Sequence, residues 1–435
     1  LIETLTELPT FTMIHRNVQM PPLTLRRLAS CSALLALAMA PVVSRAQANP
    51  LTVTAGESLT YDNNFLRRPN GGPSETTSVT SLGLNLSKEL GRQTYLADLS
   101  VSANRNHDLK SFDYDGYGLR LGLTSGVGAR GYVSLQHNRS SSQQNPDEQT
   151  GARFVDRVKQ RSTSLFAQYG VSGRIGFNAN LVSGGSEYSR NFATNSDFAS
   201  LRFGVSYSPS SLISFGLGAK KTEQHQPNVG EKINRYDYDL STSWVVSGYS
   251  TLASSLAFSQ EHRNLNAAND FKGFTGSLGW NFTPGGKLSY GLSLSRDTQR
   301  TGLPSQVYSY TGRTDTVSDI KAILTNQAQN QLTTSLGARV SWALSPKVNV
   351  GLGLTYSQFD DSREADKIGN ISGLESQFLP SQGHQQNLQF TGNYTPIRWL
   401  RLGCALGAYK RTGSRESVPG YQGQTLGCDA NVTLN

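Results

Sequence analysis

The chain has 435 residues, of which 36% are hydrophobic and 16% charged, with 43 Gly, 18 Tyr, 17 Phe and a net charge of +9; typical globular chains carry about 25% charged residues. Mean hydropathy is −0.40, and past residue 48 no run approaches the ~20 apolar residues of a membrane helix. A helical membrane protein is thereby excluded, whereas a transmembrane barrel is not, because each of its strands needs only about 9–11 alternating residues.

The first informative segment is "MPPLTLRRLASCSALLALAMAPVVSRAQA", residues 20–48. Arg26 and Arg27 precede an apolar run from Ala33 to Val43, and Ala46-Gln47-Ala48 follows. This is the pattern of a secretory signal peptide with an A-x-A cleavage site, so cleavage is expected between Ala48 and Asn49. Met20 is the expected start, which makes residues 1–19 an over-extended reading frame. Cys31 would leave with the signal, and an exported chain keeping Cys404 and Cys428 has access to disulfide chemistry. Residues 1–48 hold four Arg and two Glu, so the remainder carries +7 (36 Lys and Arg, 29 Asp and Glu). That excess suits anionic lipopolysaccharide or an anionic permeant, and it equally suits a plain solvated surface.

From residue 51 onward one motif repeats: about ten residues alternating apolar with polar or Gly, then a turn, then another run. Period two marks strands with one apolar face. Eight connections are short and rich in Gly, Pro and Ser, as tight hairpins require: 88–93, 125–130, 170–174, 208–212, 246–250, 283–287, 344–347 and 395–399. The connections between them are longer and polar, for example 137–157, 296–327 and 360–384. Eight short turns alternating with nine long loops predict eighteen strands, with sixteen as the alternative count and both chain ends on the short-turn side. Even strand number and this asymmetry are the layout of an up-and-down outer-membrane β-barrel over 49–435, short turns periplasmic and long loops extracellular. One segment departs from period two. "SDIKAILTNQ" (318–327) spaces Ile320, Ile323 and Leu324 as a helix would, with Ser318 as cap, and reads either as a short helix over the pore or as an irregular lead into the next strand.

Aromatic residues sharpen the layout. Trp244, Trp280, Trp342 and Trp399 each lie within a few residues of a short turn and share parity with their strand's apolar face. Tyr95, Tyr169, Tyr207 and Tyr394 sit equivalently. Together they predict an interfacial girdle. Tyr117, Tyr238, Phe258, Phe274, Tyr356 and Tyr409 are expected to form a second girdle at the loop end.

Polar-face parity assigns Asp98, Arg120, Arg202, Asp239, Arg339, Arg401 and Asp429 to the lumen, where rings of charge tune passage or simply balance one another. Cys404 and Cys428 share an apolar face, nearly opposite each other on the last hairpin, so a cross-strand disulfide and two packed thiols are both open readings. His107, His137, His225, His262 and His384 fall in long loops or at strand ends. No H-E-x-x-H, C-x-x-C or Walker pattern occurs, and solvated loop histidines are the simpler reading. No catalytic residue, cofactor, metal ion or nucleic-acid partner is expected.

"GESLTYDNNFLRRP" (56–69) resembles the first-strand motif of the outer-membrane barrels encoded with exopolysaccharide biosynthesis genes, the putative β-barrel porin 2 kind, which read Tyr-Asp-Asp-Asn-Leu-Phe-Arg followed by Pro. Tyr61, Asp62, Asn64, Arg67 and Pro69 match; Asn63 replaces an Asp, and Phe65-Leu66 reverses the usual order. The chain ends "ANVTLN", without the final aromatic residue common in such barrels. The resemblance implies a non-enzymatic channel for export of an extracellular polysaccharide, with outer-membrane lipid, lipopolysaccharide and periplasmic export components as partners. A general diffusion porin or uptake channel is the alternative, and a barrel enzyme or adhesive barrel the second. Within the motif, Asp62 to Asn64 are expected at the outer rim, as a strand exit or a weak cation site, with Arg67 and Arg68 facing anionic lipid or polymer.

Overall fold

The computed structural model describes residues 50–143, 156–170, 174–190, 192, 195–265, 270–310, 320–362, 381–413 and 420–434, and side chains of 299–331, 360–362 and 381–382 are left aside. Both termini of the expected signal region, and Ser318, lie outside the described residues. Eighteen strands run in chain order: Leu51–Asp62, Glu75–Leu90, Gln93–Asn106, Tyr114–Val127, Gly131–Gln143, Arg157–Gly170, Ile175–Tyr188, Ser196–Tyr207, Ile213–Gln226, Glu231–Ser247, Ser250–Arg263, Phe271–Phe282, Leu288–Tyr310, Ile320–Ser345, Val348–Ser362, Ser381–Ile397, Leu400–Gly413 and Tyr421–Leu434. We number them β1 to β18. Every strand pairs antiparallel with its sequence neighbours, and β1 pairs with β18, so the sheet is a closed up-and-down barrel. Closure leaves no free first or last strand in the barrel wall.

The strand count, the eight short turns and the placement of both ends of the strand array at the turn end follow the alternation read from the sequence. Residues directly opposite in antiparallel strands share a face, so the registers fix which side chains point out. The rows Leu51–Leu86–Ala97–Leu121 and Leu165–Leu181–Leu201 lie on one face. Rows such as Ser81–Ser102–Gly116 lie on the other. Leu, Val, Phe and Tyr of the first face are widely exposed, Leu217 at 64% and Phe274 at 61%. Among the described residues few apolar side chains are buried, namely Phe112, Val158, Ile233, Phe359 and Tyr421, all near the loop end. The apolar surface of this fold therefore lies outside rather than in a core. Backbone pairing between neighbouring strands replaces the core as the source of order.

Of the two readings of 318–327, the described part, from Ile320, takes the strand one rather than the helical one. Ile320 to Gln327 belong to β14 and pair with β13 from Tyr310 to Leu303. The barrel pairing of β12 with β13 ends at Arg296, and that of β15 with β14 ends at Asn330. Beyond those points β13 and β14 pair only with each other. Much of the connection read as the loop 296–327 is thus a prolonged hairpin. Two strands hydrogen-bonded to each other keep extended geometry whatever their side-chain spacing, and this overrides the three apolar residues. Three register shifts, between Val245 and Ser247, Ala343 and Ser345, and Tyr394 and Ile397, all sit at short turns. Such bulges bend a strand where it must reverse.

Candidate functional site

The inward face is built from Ser, Thr, Asn, Gln and Gly with charges set among them. All seven lumen candidates have inward register. Asp98 faces Arg120 across β3 and β4, at 4.0 Å, and accepts a hydrogen bond from Asn85. Arg202 on β8 forks onto Asp239 on β10 at 3.0 and 2.6 Å, passing over β9, and also donates to Asn178 at 2.8 Å. Next to it Lys220 lies 3.1 Å from Asp237. Arg235 holds Asp237 at 2.7 Å and reaches Asp297 on β13 at 3.0 Å. Ser259 and Thr275 continue this chain of bonds. Asp429 accepts from Asn431 at 2.5 Å. Arg339 and Arg401 differ: each donates to an asparagine oxygen, Asn281 at 3.0 Å and Asn393 at 3.2 Å, and to no carboxylate among the described residues.

A feature of register makes this wall thin. Inward glycines stand opposite polar side chains: Gly83 opposite Thr54, Gly118 opposite Ser100, Gly176 opposite Ser206, Gly218 opposite Asp239, Gly403 opposite Asp429. The polar side chain lies over the glycine. A Cβ on Gly218 would come within 2.5 Å of the Arg202 Nη2 and 2.7 Å of the Asp239 Oδ1. The Arg202–Asp239 pair can lie flat over β9 because residue 218 has no side chain.

The first-strand motif lies where expected, β1 ending at Asp62 and giving way to a turn at the loop end, but its side chains point back into the fold. Asp62 and Asn64 are buried. Arg67 adopts a left-handed φ of +52° and folds back, its Nη1 2.6 Å from Asp62 Oδ2 and its guanidinium 4.0 Å above the Tyr409 ring. Tyr409 donates its hydroxyl proton to Asp62 at 2.7 Å, and the Asn64 amide nitrogen of the backbone donates to Asp62 at 2.9 Å. Asn64 donates its side-chain amide to the Gln422 carbonyl at 2.8 Å, while the Asn63 N–H reaches the Gln424 carbonyl at 3.1 Å. The motif is a clasp tying the loop after β1 to β17 and β18. Arg67 does not face lipid or polymer, because a carboxylate and an aromatic face hold it. Of the two arginines, it is Arg68 that is exposed. With its oxygens already engaged, Asp62 is a loop anchor and not a cation ligand. Tyr409 likewise leaves the loop-end girdle: it opposes Gly423 on the inward face, since Cys404, Leu406 and Ala408 set the outward parity of β17.

Tyr117, Tyr238, Phe258, Phe274 and Tyr356 do face outward, with Phe258 and Phe274 edge to face at 5.6 Å between centroids. At the turn end Trp244, Trp280 and Trp342 face outward by register, and Trp399 sits exposed in the last turn. Cys404 and Cys428 are directly opposite and bonded to each other. Their bridge is on the outward face.

No protein-family model and no curated protein sequence matches this chain. Solved structures do. OpdK of Pseudomonas aeruginosa with vanillate is 12% identical, with 88% of this chain and 99% of that one covered and a TM-score of 0.47. OccAB4 of Acinetobacter baumannii gives 11%, 88%, 97% and 0.46. The siderophore receptor PirA of Pseudomonas aeruginosa gives 10%, 90%, 82% and 0.43. The likeness is one of barrel architecture.

Several anchoring residues carry no sequence signal. Glu75, 1% exposed, accepts backbone N–H bonds from Thr76, His107, Asp108 and Leu109 at 2.6–3.1 Å. A carboxylate four times bonded pins the loop after β3. Arg263 sits buried between Glu231 and Glu261. Glu57 stands in the apolar outward row of β1, where Ser78 and Thr80 donate to it at 2.5 Å each. The histidines are dispersed. His137 and His225 sit within strands and face outward, and His107 and His262 pair with the exposed carboxylates Asp108 and Asp270. Among the described residues no group of three or more His, Cys, Asp or Glu is arranged to hold a metal ion.

Proposed function

We propose that the chain is an outer-membrane channel that lets hydrophilic solutes pass. One observation carries this reading: a closed sheet of eighteen strands with apolar side chains outward and Ser, Thr, Asn, Gln, Gly and paired charges inward. Closed barrels satisfy every backbone group within the hydrocarbon, and eighteen strands enclose an aqueous space rather than a packed interior. The outward Trp and Tyr near the short turns supply an interfacial girdle on the periplasmic side. In this role the wall binds weakly and reversibly and does no chemistry.

A general solute channel is the simpler form of the proposal. Export of a polysaccharide is the second reading. The resemblance at Tyr61 to Pro69 favours it, as does the uncharged amide and hydroxyl wall of β15 and β16, which suits a polyhydroxylated chain. The motif residues themselves fasten the loop after β1 to β17 and β18, so they argue for kinship rather than for cargo. Single-channel recording in a planar bilayer tests the common core: discrete conductance steps are expected, and a folded barrel that conducts under no condition overturns it. Deletion in the source bacterium separates the two forms, since only the export reading requires lost polysaccharide secretion.

A further inference from the structure

The outward face of β5 and β6 changes character part-way up. Near the short turns it is apolar, with Val133 opposite Ala167 and Leu135 opposite Leu165. His137 and Thr163 come next, directly opposite and hydrogen-bonded at 2.9 Å. Arg139 then stands opposite Arg161, and Lys159 follows on the same face, opposite Ser141. All three cations are exposed. On β4 the apolar row runs higher, through Leu119, opposite Arg139, to Tyr117, opposite Ser141. The cluster therefore occupies a notch in the apolar band. Arg139 lies eight residues from Gly131 at the start of β5, and Arg161 nine from Gly170 at the end of β6. The outward Phe258 and Phe274 each lie eight residues from the turn end of their own strands. Nine residues rising ~3.3 Å each and tilted by about 40° climb roughly 23 Å, and the apolar band of an outer-membrane barrel is about 25 Å tall. The cations thus meet the level at which lipid headgroups begin.

The acids nearby leave this charge uncancelled. Asp197 on β8 reaches one guanidinium nitrogen of Arg161 at 3.1 Å, across Gly185. Glu187 on β7 stands opposite Lys159, and among the described residues no ion pair joins Arg139 or Lys159 to a carboxylate. Asp115 is held by Arg105 at 2.6 Å, and the buried Asp156 accepts from the Ser189 hydroxyl and the Arg190 backbone N–H. Arg157, at the head of β6, is also outward by register and exposed, so four cations face Glu187 and Asp197. Like charges directly opposite on a sheet repel. A phosphate between Arg139 and Arg161 turns that repulsion into charge-assisted hydrogen bonds. We propose that Arg139, Lys159 and Arg161 form a lipid-facing site for a phosphate of an outer-leaflet glycolipid, whose acyl chains lie along the apolar row below. The inference rests on the outer-membrane reading above, with the loop end outside. A lipid is the occupant because the site tops an apolar row on the outward face, whereas dissolved anions meet the lumen.

The test uses the full chain, folded in a neutral detergent and titrated with lipid A bearing both phosphates, with native mass spectrometry as readout. A one-to-one complex is expected. Lipid A stripped of its phosphates should bind about tenfold more weakly, the equivalent of one charged hydrogen bond. R139Q and R161Q together should weaken binding of the phosphorylated lipid to a similar degree. K272Q, which removes an exposed outward cation of β12, should leave it unchanged. Inorganic phosphate in excess should not displace the lipid. Equal binding of the two lipids overturns the inference, as does equal weakening by K272Q or displacement by inorganic phosphate at the lipid's own concentration. The comparison of the two lipids needs no variant, so a variant that fails to fold does not shield the inference. Conductance of the same preparation separates the readings. A barrel that conducts without phosphate-dependent lipid binding overturns this inference alone, and one that binds the lipid but never conducts overturns the channel alone.

Discussion

Replacing Arg67 by Ala should release the loop after β1 without opening the barrel. The guanidinium makes a charged hydrogen bond to Asp62 at 2.6 Å and covers the Tyr409 ring at 4.0 Å. A hydrogen bond to a charged group contributes about 1.5–3 kcal/mol, and a cation over an aromatic face about 0.5–2 kcal/mol. The Arg67 and Asp62 side chains are 13% and 10% exposed, so solvent screens part of this and the lower half of the range applies, about 2–3 kcal/mol in all. At 1.4 kcal/mol per decade, local opening becomes roughly 30- to 150-fold more frequent. Amide hydrogen exchange on detergent-solubilised protein measures it directly. Exchange should accelerate at Asn63, Asn64 and Phe65, whose N–H groups bond Gln424, Asp62 and Pro73, and remain unchanged in β6 to β8. Tyr409→Phe removes the hydroxyl bond to Asp62 and leaves the ring, so its effect should be smaller. Unaltered exchange in Arg67→Ala, or equal acceleration across all strands, would refute the clasp.

Two further outcomes follow from the wall and from the last hairpin. Gly218→Ala should cost about 1–3 kcal/mol through overpacking and lower conductance by lifting the Arg202–Asp239 pair off the wall; Gly279→Ala, whose nearest neighbour would be 3.9 Å away, should change neither heat-modifiability on gels nor conductance. Reduction of Cys404–Cys428, or the double Cys→Ser variant, should lower the temperature at which the barrel unfolds in detergent, because a bridge spanning 24 residues restrains the unfolded chain by roughly 3 kcal/mol in the loop-entropy account.

Much of the architecture was legible because a barrel strand obeys one simple rule. Alternation reports sidedness residue by residue, and the turn residues Gly91, Gly128 and Gly285, all at positive φ, punctuate it. The same rule placed Asp98, Arg120, Arg202, Asp239, Arg339, Arg401 and Asp429 on the inward face. It failed where a second interaction outweighed the pattern. Ile320, Ile323 and Leu324 have helical spacing, yet strand pairing with β13 decides their conformation. Tyr409 was grouped by residue type with the outward aromatics although its parity was inward. Arg67 looked like a free surface cation because its partner Tyr409 lies 342 residues away. Nor could a single strand disclose that its glycines face polar side chains, since that depends on register between strands. Glu75 is the extreme case, a carboxylate whose partners are backbone groups that no residue type announces.

The clasp has a temporal consequence. Asp62, Asn64 and Arg67 belong to the first hairpin of the barrel, while Tyr409, Gln422 and Gln424 belong to its last. A chain made and threaded from its N-terminus holds one half of this fastening from the outset and receives the other only when its final strands arrive. The fastening therefore records completion: a chain truncated before residue 409 can pair many of its strands and still lack the means to secure its first loop.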